Sequence, residues 1–270
     1  MKKIILLSLF VLLQYELPAQ NGKYANVNGA KIYYETYGNG QPLVMLHAFS
    51  GSHKLWEQWI DTFSKEYKLI IPDLRGHGNS TNPSKIFRHK DVAQDIYALM
   101  DNLEISEFNA IGVSTGAMAL IHMATMDSTR IISMIMISGV FYNPEQAREF
   151  QKKRTFESYS KEELSWLREH NPQGDDQIKI LTDQFRNLAF TYDDMNFTKP
   201  YLTQIKCPTL IIHGDNDAYF PIEIPVEMYR AIPNSSLWIV PNGGHFPIWQ
   251  ELWSDQFVKV AKLFLADKFR

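Results

Sequence analysis

Six short apolar runs constrain this chain more than any other feature: Leu43 to Leu46, Leu69 to Ile71, Ala110 to Val113, Ile131 to Ile137, Thr209 to Ile212 and Leu237 to Val240. They show little polar alternation, so neither face of such a run is made for water. Strands of this kind lie in a parallel sheet that is covered on both sides. The segments between them carry a different period. Apolar residues recur at 56, 59, 60 and 63, at 92, 96, 99, 100 and 103, and at 253, 257, 260, 261 and 264. That spacing predicts helices over Trp56 to Phe63, Val92 to Leu103 and Trp253 to Phe264. Strand and helix in alternation specify an α/β fold with a mostly parallel central sheet flanked by helices. Nearer the N-terminus, Ala25-Asn26-Val27 and Lys31 to Thr36 flank the turn pair Asn28-Gly29, so the sheet is expected to open with an antiparallel hairpin.

The alternation stops between Phe141 and Ile205. This stretch mixes charge with aromatic residues, among them Phe150, Tyr159, Trp166, Phe185 and Tyr201, and shows helical spacing without strands. It predicts an inserted helical cap or lid over residues 141–205, dividing a core of 20–140 and 206–270. No internal repeat at a fixed period is found.

Residues 1–19 stand apart. Lys2 and Lys3 precede an apolar stretch from Ile4 to Leu13 broken only by Ser8, and Leu17-Pro18-Ala19 follows. A charged start, a short apolar run and a small residue at the cleavage point are the marks of a secretory signal peptide. The run is about half of the roughly 20 residues a membrane-spanning helix needs, so no stable membrane anchor is expected. The mature protein is expected in the periplasm or outside the cell. Cys207 is the single cysteine, which rules out an internal disulfide, but a 270-residue chain that is 45% hydrophobic can support its core without one. A net charge of -3 without a basic block excludes a nucleic-acid surface, which needs clustered Lys and Arg. A small-molecule substrate and a monomer or homodimer are expected.

The candidate chemistry lies at the ends of the strands. Gly112-Val113-Ser114-Thr115-Gly116 has the G-x-S-x-G form of a tight strand-to-helix turn that exposes a serine hydroxyl. The buried strand Phe108 to Val113 leads in and a helix over Gly116 to Met126 leads out, as the motif requires. A serine hydroxyl is a weak nucleophile near neutral pH and needs a base, which in turn needs an acid to orient it. Downstream, Asp215 and Asp217 both follow the strand Thr209 to Ile212, and His245 follows the strand Leu237 to Val240. Serine, aspartate and histidine in this order, each just past a strand's C-terminal end, match the arrangement of an open α/β sheet enzyme.

The mature chain therefore resembles the α/β-hydrolase superfamily, in its cap-bearing, esterase-like branch. Four landmarks carry the likeness: His47-Ala48-Phe49-Ser50-Gly51, Pro72-Asp73-Leu74-Arg75-Gly76-His77-Gly78-Asn79-Ser80, the serine turn, and the loops Gly214 to Pro221 and around His245. The resemblance implies that Ser114, Asp217 and His245 are catalytic, the spacing of glycine, two residues and aspartate selecting Asp217 over Asp215. It also implies that the backbone N–H groups of Phe49 and Thr115 hold the oxyanion. Similar proteins usually have glycine where Ala48 stands; if that position needs a positive φ, alanine strains it. The function implied is hydrolysis of a small, largely apolar ester through an acyl-enzyme. C–C bond hydrolysis, aminopeptidase or acyltransferase chemistry, or a non-catalytic ligand-binding role, are the alternatives. His47, His77 and His213 read as structural, and surface or cap positions suffice for His53, His89, His122 and His170. Asp73 and Arg75 read as loop braces, and Met118, Met123, Met126, Met134 and Met136 as core filler. No metal or cofactor is expected, since H-E-x-x-H, paired cysteines, P-loop and G-x-G-x-x-G motifs are all missing from the sequence. Signal cleavage after Ala19 would make Gln20 the first residue of the exported protein; N-terminal sequencing of the material recovered outside the cytoplasm checks this, and an intact Met1 would refute it.

Overall fold

The apolar runs become strands of an eight-stranded sheet in the computed structural model, which describes residues 22–268; five lie inside the sheet and the last, Leu237 to Val240, is in its half-buried edge strand. The expected signal segment at 1–19 lies outside the described residues. The strands are β1 (Lys23–Val27), β2 (Ala30–Tyr37), β3 (Gln41–Leu46), β4 (Tyr67–Pro72), β5 (Phe108–Val113), β6 (Ile131–Ile137), β7 (Thr209–Gly214) and β8 (Ser235–Val240), in the order β1-β2-β4-β3-β5-β6-β7-β8. β2 runs antiparallel to both β1 and β4, and the other neighbours are parallel. Asn28, at φ 45, and Gly29, at φ 76, make the tight turn between β1 and β2, as the Asn-Gly pair predicts.

The helices divide between the two faces. The core helices are α1 (Glu57–Phe63), α2 (His89–Asn102), α3 (Thr115–Met126), α8 (Glu223–Ala231) and α9 (Glu251–Leu265); between β6 and β7 lie α4 (Glu145–Lys153), α5 (Lys161–His170), α6 (Asp175–Leu188) and the single turn α7 (Lys199–Leu202). Alternate residues of each central strand enter opposite cores. Val44, Leu46, Ala110, Met134, Met136 and Ile211 pack with α2, α3 and α8; Leu43, Met45, Ile111, Ile135 and Ile212 pack with α1 and α9. This is why the strands show no polar alternation, and each fully buried side chain of this size contributes about 1.5–3 kcal/mol. Helix α3 is buried on every side from Thr115 to Ala124. Its last residue departs from expectation: Met126 is 45% exposed. Helix α8 was not marked by the apolar spacing, since Pro225 interrupts its first turn.

The helical insert is fastened to the core where it ends. Arg88, the residue before α2, supplies no side-chain cap. Asp194, 105 residues away, takes that role: its Oδ2 accepts from the His89 N–H at 2.8 Å and its Oδ1 from the Lys90 N–H at 3.1 Å. The same carboxylate accepts from His89 Nδ1 at 2.7 Å and lies 3.3 Å from His122 Nε2. Burial alone would raise the Asp194 pKa, but the attraction and hydrogen bonds of His89, with His122 close by, hold it far below the usual carboxylate range. His89 and His122 are thus buried partners of an acid within the core, where the sequence suggests only surface or cap positions. Removing one member of a buried, hydrogen-bonded polar pair costs about 3–5 kcal/mol. Asp194→Ala is therefore expected to lower the urea midpoint with little change in m, and Asp194→Asn, which keeps an acceptor, to lower it less; an Asp194→Ala midpoint equal to the parent would refute the capping role.

Candidate active site

Ser114 sits on the turn from β5 into α3 with φ 51 and ψ -113. A non-glycine residue there carries strain on the order of 1–3 kcal/mol. The surroundings leave it no relaxed alternative. A Cβ at Gly112 would meet the Gly116 carbonyl carbon at 2.6 Å, and one at Gly116 would meet the Leu46 carbonyl oxygen at 2.4 Å. Both glycines are required so that α3 can rest directly on β5 and β3. The Ser114 N–H is anchored to Ile137 O at 2.8 Å, which holds the turn to the next strand.

Two further loops meet this serine. After β7 the chain turns through Gly214, and after β8 it turns through Gly243. A Cβ on Gly214 would lie 2.2 Å from Gly243 O, so the two loops touch backbone to backbone, joined also by Asn216 N–H to Gly243 O at 2.9 Å. The side chains they carry connect in series. His245 Nδ1 donates to Asp217 Oδ2 at 2.7 Å, which leaves Nε2 to accept from Ser114 Oγ at 2.9 Å. Asp217 Oδ1 accepts from the backbone N–H groups of Tyr219 at 2.8 Å and Phe220 at 3.1 Å. Burial would raise the Asp217 pKa, yet the His245 hydrogen bond and charge together with the Tyr219 N–H hold it below its ordinary value. Asp215 is exposed and joins the turn through its backbone N–H to Val240 O. The geometry brings together Ser114, Asp217 and His245, and leaves Asp215 out.

Thr115 opens α3, so its N–H is one of the first-turn amides that no carbonyl of the helix can reach. Phe49 lies in the loop after β3, and its N–H has no acceptor among the described residues. Its ring is fixed edge-on against His77 at 4.7 Å and Phe87 at 4.9 Å. The strain anticipated at Ala48 does not arise. Ser50, at φ 61, takes the left-handed turn of this loop, and Ala48 is not among the positive-φ positions.

The loop is held by histidines. The Leu74 N–H donates to His47 Nε2 at 2.9 Å, His47 Nδ1 donates to Ala48 O at 2.7 Å, and His77 Nδ1 donates to Arg75 O at 3.0 Å. His213 Nε2 donates to Phe220 O at 3.0 Å. These three are structural, as expected. His53 and His170, in contrast, are buried members of the same support, the first bonded to Asp73 Oδ1 at 2.8 Å and the second 2.8 Å from Ser52 Oγ. Asn171, at the end of α5, donates to Ser50 O at 2.8 Å and accepts from the Gly78 N–H at 3.1 Å, so the insert clamps both loops. Arg75 pairs with Asp95 at 2.7 and 2.8 Å rather than with Asp73. Sequence reasoning missed Asp95 and Asp194; their only signal was an acid with no motif around it.

Above Ser114 and His245 opens a cavity of about 600 Å³, walled by the core residues Leu55, Phe49 and Trp249 and by the insert residues Phe150, Trp166 and Phe185. A volume of this size takes a small organic molecule.

The sequence matches the family described as alpha/beta hydrolase fold over residues 41–164 and 168–252. It is 26% identical over 250 residues to the AB hydrolase superfamily protein YisY of Bacillus subtilis, spanning 82% of this chain and 90% of that protein. It is 24% identical over 256 residues to the pimeloyl-[acyl-carrier protein] methyl ester esterase of Nitrosomonas europaea, spanning 85% of this chain and 97% of that one. Among solved structures, the meta-cleavage product hydrolase CumD of Pseudomonas fluorescens superposes with a TM-score of 0.74 at 21% identity, covering 92% of this chain and 98% of that one.

Burial pushes His47 down to about 3, with His77 opposing its charge, and pushes His77 and His170 down to about 4. A depressed folded value means stability that is complete above about 6.5 and is lost as the pH falls toward 4 and then 3. His53 opposes this: burial lowers it, but the Asp73 hydrogen bond and charge raise it overall, so its share is full below 6.5 and lost as the pH rises through its folded value. Burial lowers His213 as well, so four histidines outweigh one. The urea midpoint is expected to be lower at about pH 5 than at about pH 7, with His170→Gln flattening the difference; an unchanged midpoint would remove the argument from burial.

Proposed function

The chain belongs to the α/β-hydrolase fold family, and on that premise we propose that it is a serine hydrolase that cleaves a small, largely apolar ester through an acyl-enzyme. The observation that carries this reading is the series Ser114 Oγ, His245 Nε2, His245 Nδ1 and Asp217 Oδ2, linked at 2.9 and 2.7 Å at the floor of an aromatic-walled cavity. Ser114 Oγ attacks the ester carbonyl as its proton passes to His245 Nε2. The carbonyl oxygen becomes an oxyanion, for which the unengaged amides of Phe49 and Thr115 are the available donors; the N-terminal end of α3 adds favourable charge there. Asp217 keeps the Nδ1–H tautomer and stabilises the imidazolium. Collapse of the adduct expels the alcohol, which takes the proton from Nε2. Water then repeats the sequence, its proton passing to His245, and leaves the acyl group as an acid with Ser114 regenerated.

The aromatic walls support an apolar body for the substrate, and the likeness to a protein named for a methyl ester supports an ester bond. The test is a panel of aryl esters of varied acyl length, run beside thioesters, amides and ring-cleavage products. Ser114→Ala is expected to lower kcat by roughly 10⁴- to 10⁶-fold on the best ester and to abolish covalent labelling by a fluorophosphonate. Labelling that persists in Ser114→Ala, or turnover confined to peptides, would overturn the reading.

A further inference from the structure

One part of the cavity wall has no role in the hydrolytic steps. Arg154 follows α4 directly and is the one lysine or arginine that borders the cavity among the described residues. Its guanidinium is held in place by three contacts: the Phe150 ring at 5.2 Å, the Tyr159 ring at 4.4 Å, and Glu163 Oε1 at 2.5 Å from Nη2. It is only one-fifth exposed. From the serine, a ladder of rings leads to it: His245 to Tyr219 at 4.9 Å, Tyr219 to Phe150 at 4.5 Å, then Arg154 over Phe150. The guanidinium therefore stands two rings beyond His245, on the wall the insert provides.

The polar capacity of this wall is unbalanced. Two acids, Glu162 and Glu163, also border the cavity, but both are committed to the first turn of α5. Glu163 Oε2 accepts from the Ser160 N–H at 2.7 Å while Oε1 takes Arg154. Glu162 bonds its own backbone N–H and Ser160, which hold its pKa below the ordinary value. Gln151 uses Oε1 as acceptor for Asn143 Nδ2 at 2.9 Å, and its amide N–H groups have no acceptor among the described residues. Arg154 has five N–H donors, and Glu163 is its one acceptor among the described residues. What remains unspent is donor capacity: Glu163 balances the guanidinium's charge but occupies only part of its N–H fork, while both acids are engaged at the start of α5. A guanidinium so fixed is suited to the planar oxygens of a carboxylate, and little entropy is lost on pairing.

We propose that Arg154 determines specificity by receiving a carboxylate at the end of the substrate remote from the reacting carbonyl, so that the preferred substrates are esters with an apolar middle and an acidic far end. This rests on the ester reading of Ser114 and narrows its substrate class. Two substrate series test it: aryl half-esters of dicarboxylic acids and acetate esters of hydroxybenzoic acids. Each is compared with its uncharged counterpart and with one ending in an ammonium. The acidic member of at least one series is expected to show kcat/KM about tenfold or more above the uncharged one, the range of a hydrogen bond to a charged group. Arg154→Met should erase that preference while leaving the uncharged substrates as they were, and Arg154→Lys should keep part of it. Equal rates for acidic and uncharged members in both series, an equal loss on both in Arg154→Met, or preference for the ammonium, which would favour Glu162, would overturn the proposal. Binding of free dicarboxylates to Ser114→Ala, followed by fluorescence, separates the two readings. If no ester is hydrolysed, the hydrolytic reading fails; dicarboxylate binding lost on adding Arg154→Met still supports the role of Arg154, and no binding overturns it.

Discussion

Backbone contact between α3 and the strands beneath it is the constraint on which the rest of the site depends. Gly112 and Gly116 bring the helix so close to Leu46 that no side chain fits between them. The chain can leave β5 and enter such a helix only by turning sharply, and Ser114 absorbs the turn at φ 51. The strain is held in place by the sheet: Ile137 O fixes the Ser114 amide, and α3 is buried along nearly its whole length. A second glycine contact, Gly214 against Gly243, does the same for the other two loops. Side chains from three distant segments meet because backbones meet first.

This explains what could be read in advance. The central parallel strands were legible because both of their faces are buried, and Ser114, Asp217 and His245 because glycines flank the serine and precede the other two at a recognisable spacing. The spacing after Gly214 selects Asp217 over Asp215, and in the fold Asp217 is hydrogen-bonded to His245 while Asp215 is exposed to solvent. The concern over Ala48 failed for a local reason: the left-handed turn falls two residues later, on Ser50. Helix α8 went unmarked because a proline sits in its first turn. The pairing of His53, His89, His122 and His170 could not be read at all. Their partners lie up to 118 residues away, and a histidine bonded across the fold looks in sequence like one on the surface.

The helical insert joins two tasks that are chemically distinct. Its aromatic residues enclose the space above Ser114, while Asn171 and His170 hold the loops that carry Phe49 and Gly78. The wall and the support are therefore one body. A change in the shape of the insert acts on the loop that carries the Phe49 amide as well as on the pocket. Charge is arranged with the same economy, since the acids beside Arg154 also cap α5 and so leave the guanidinium as the side with unused bonding capacity.

The cap that Asp194 lends to α2 bears on the order in which the molecule takes shape. Most helix caps come from the residue next door and are available as soon as the helix forms. Here the acceptor arrives 105 residues later, after β5, α3, β6 and nearly all of the insert have been made. During synthesis the start of α2 must wait with its amides open to water, and contacts so distant in sequence close late. The first turn of α2 and the exit of the insert are therefore completed together, a seam that can close only once the chain has been made through Asp194, before β7 and β8 are added to the sheet.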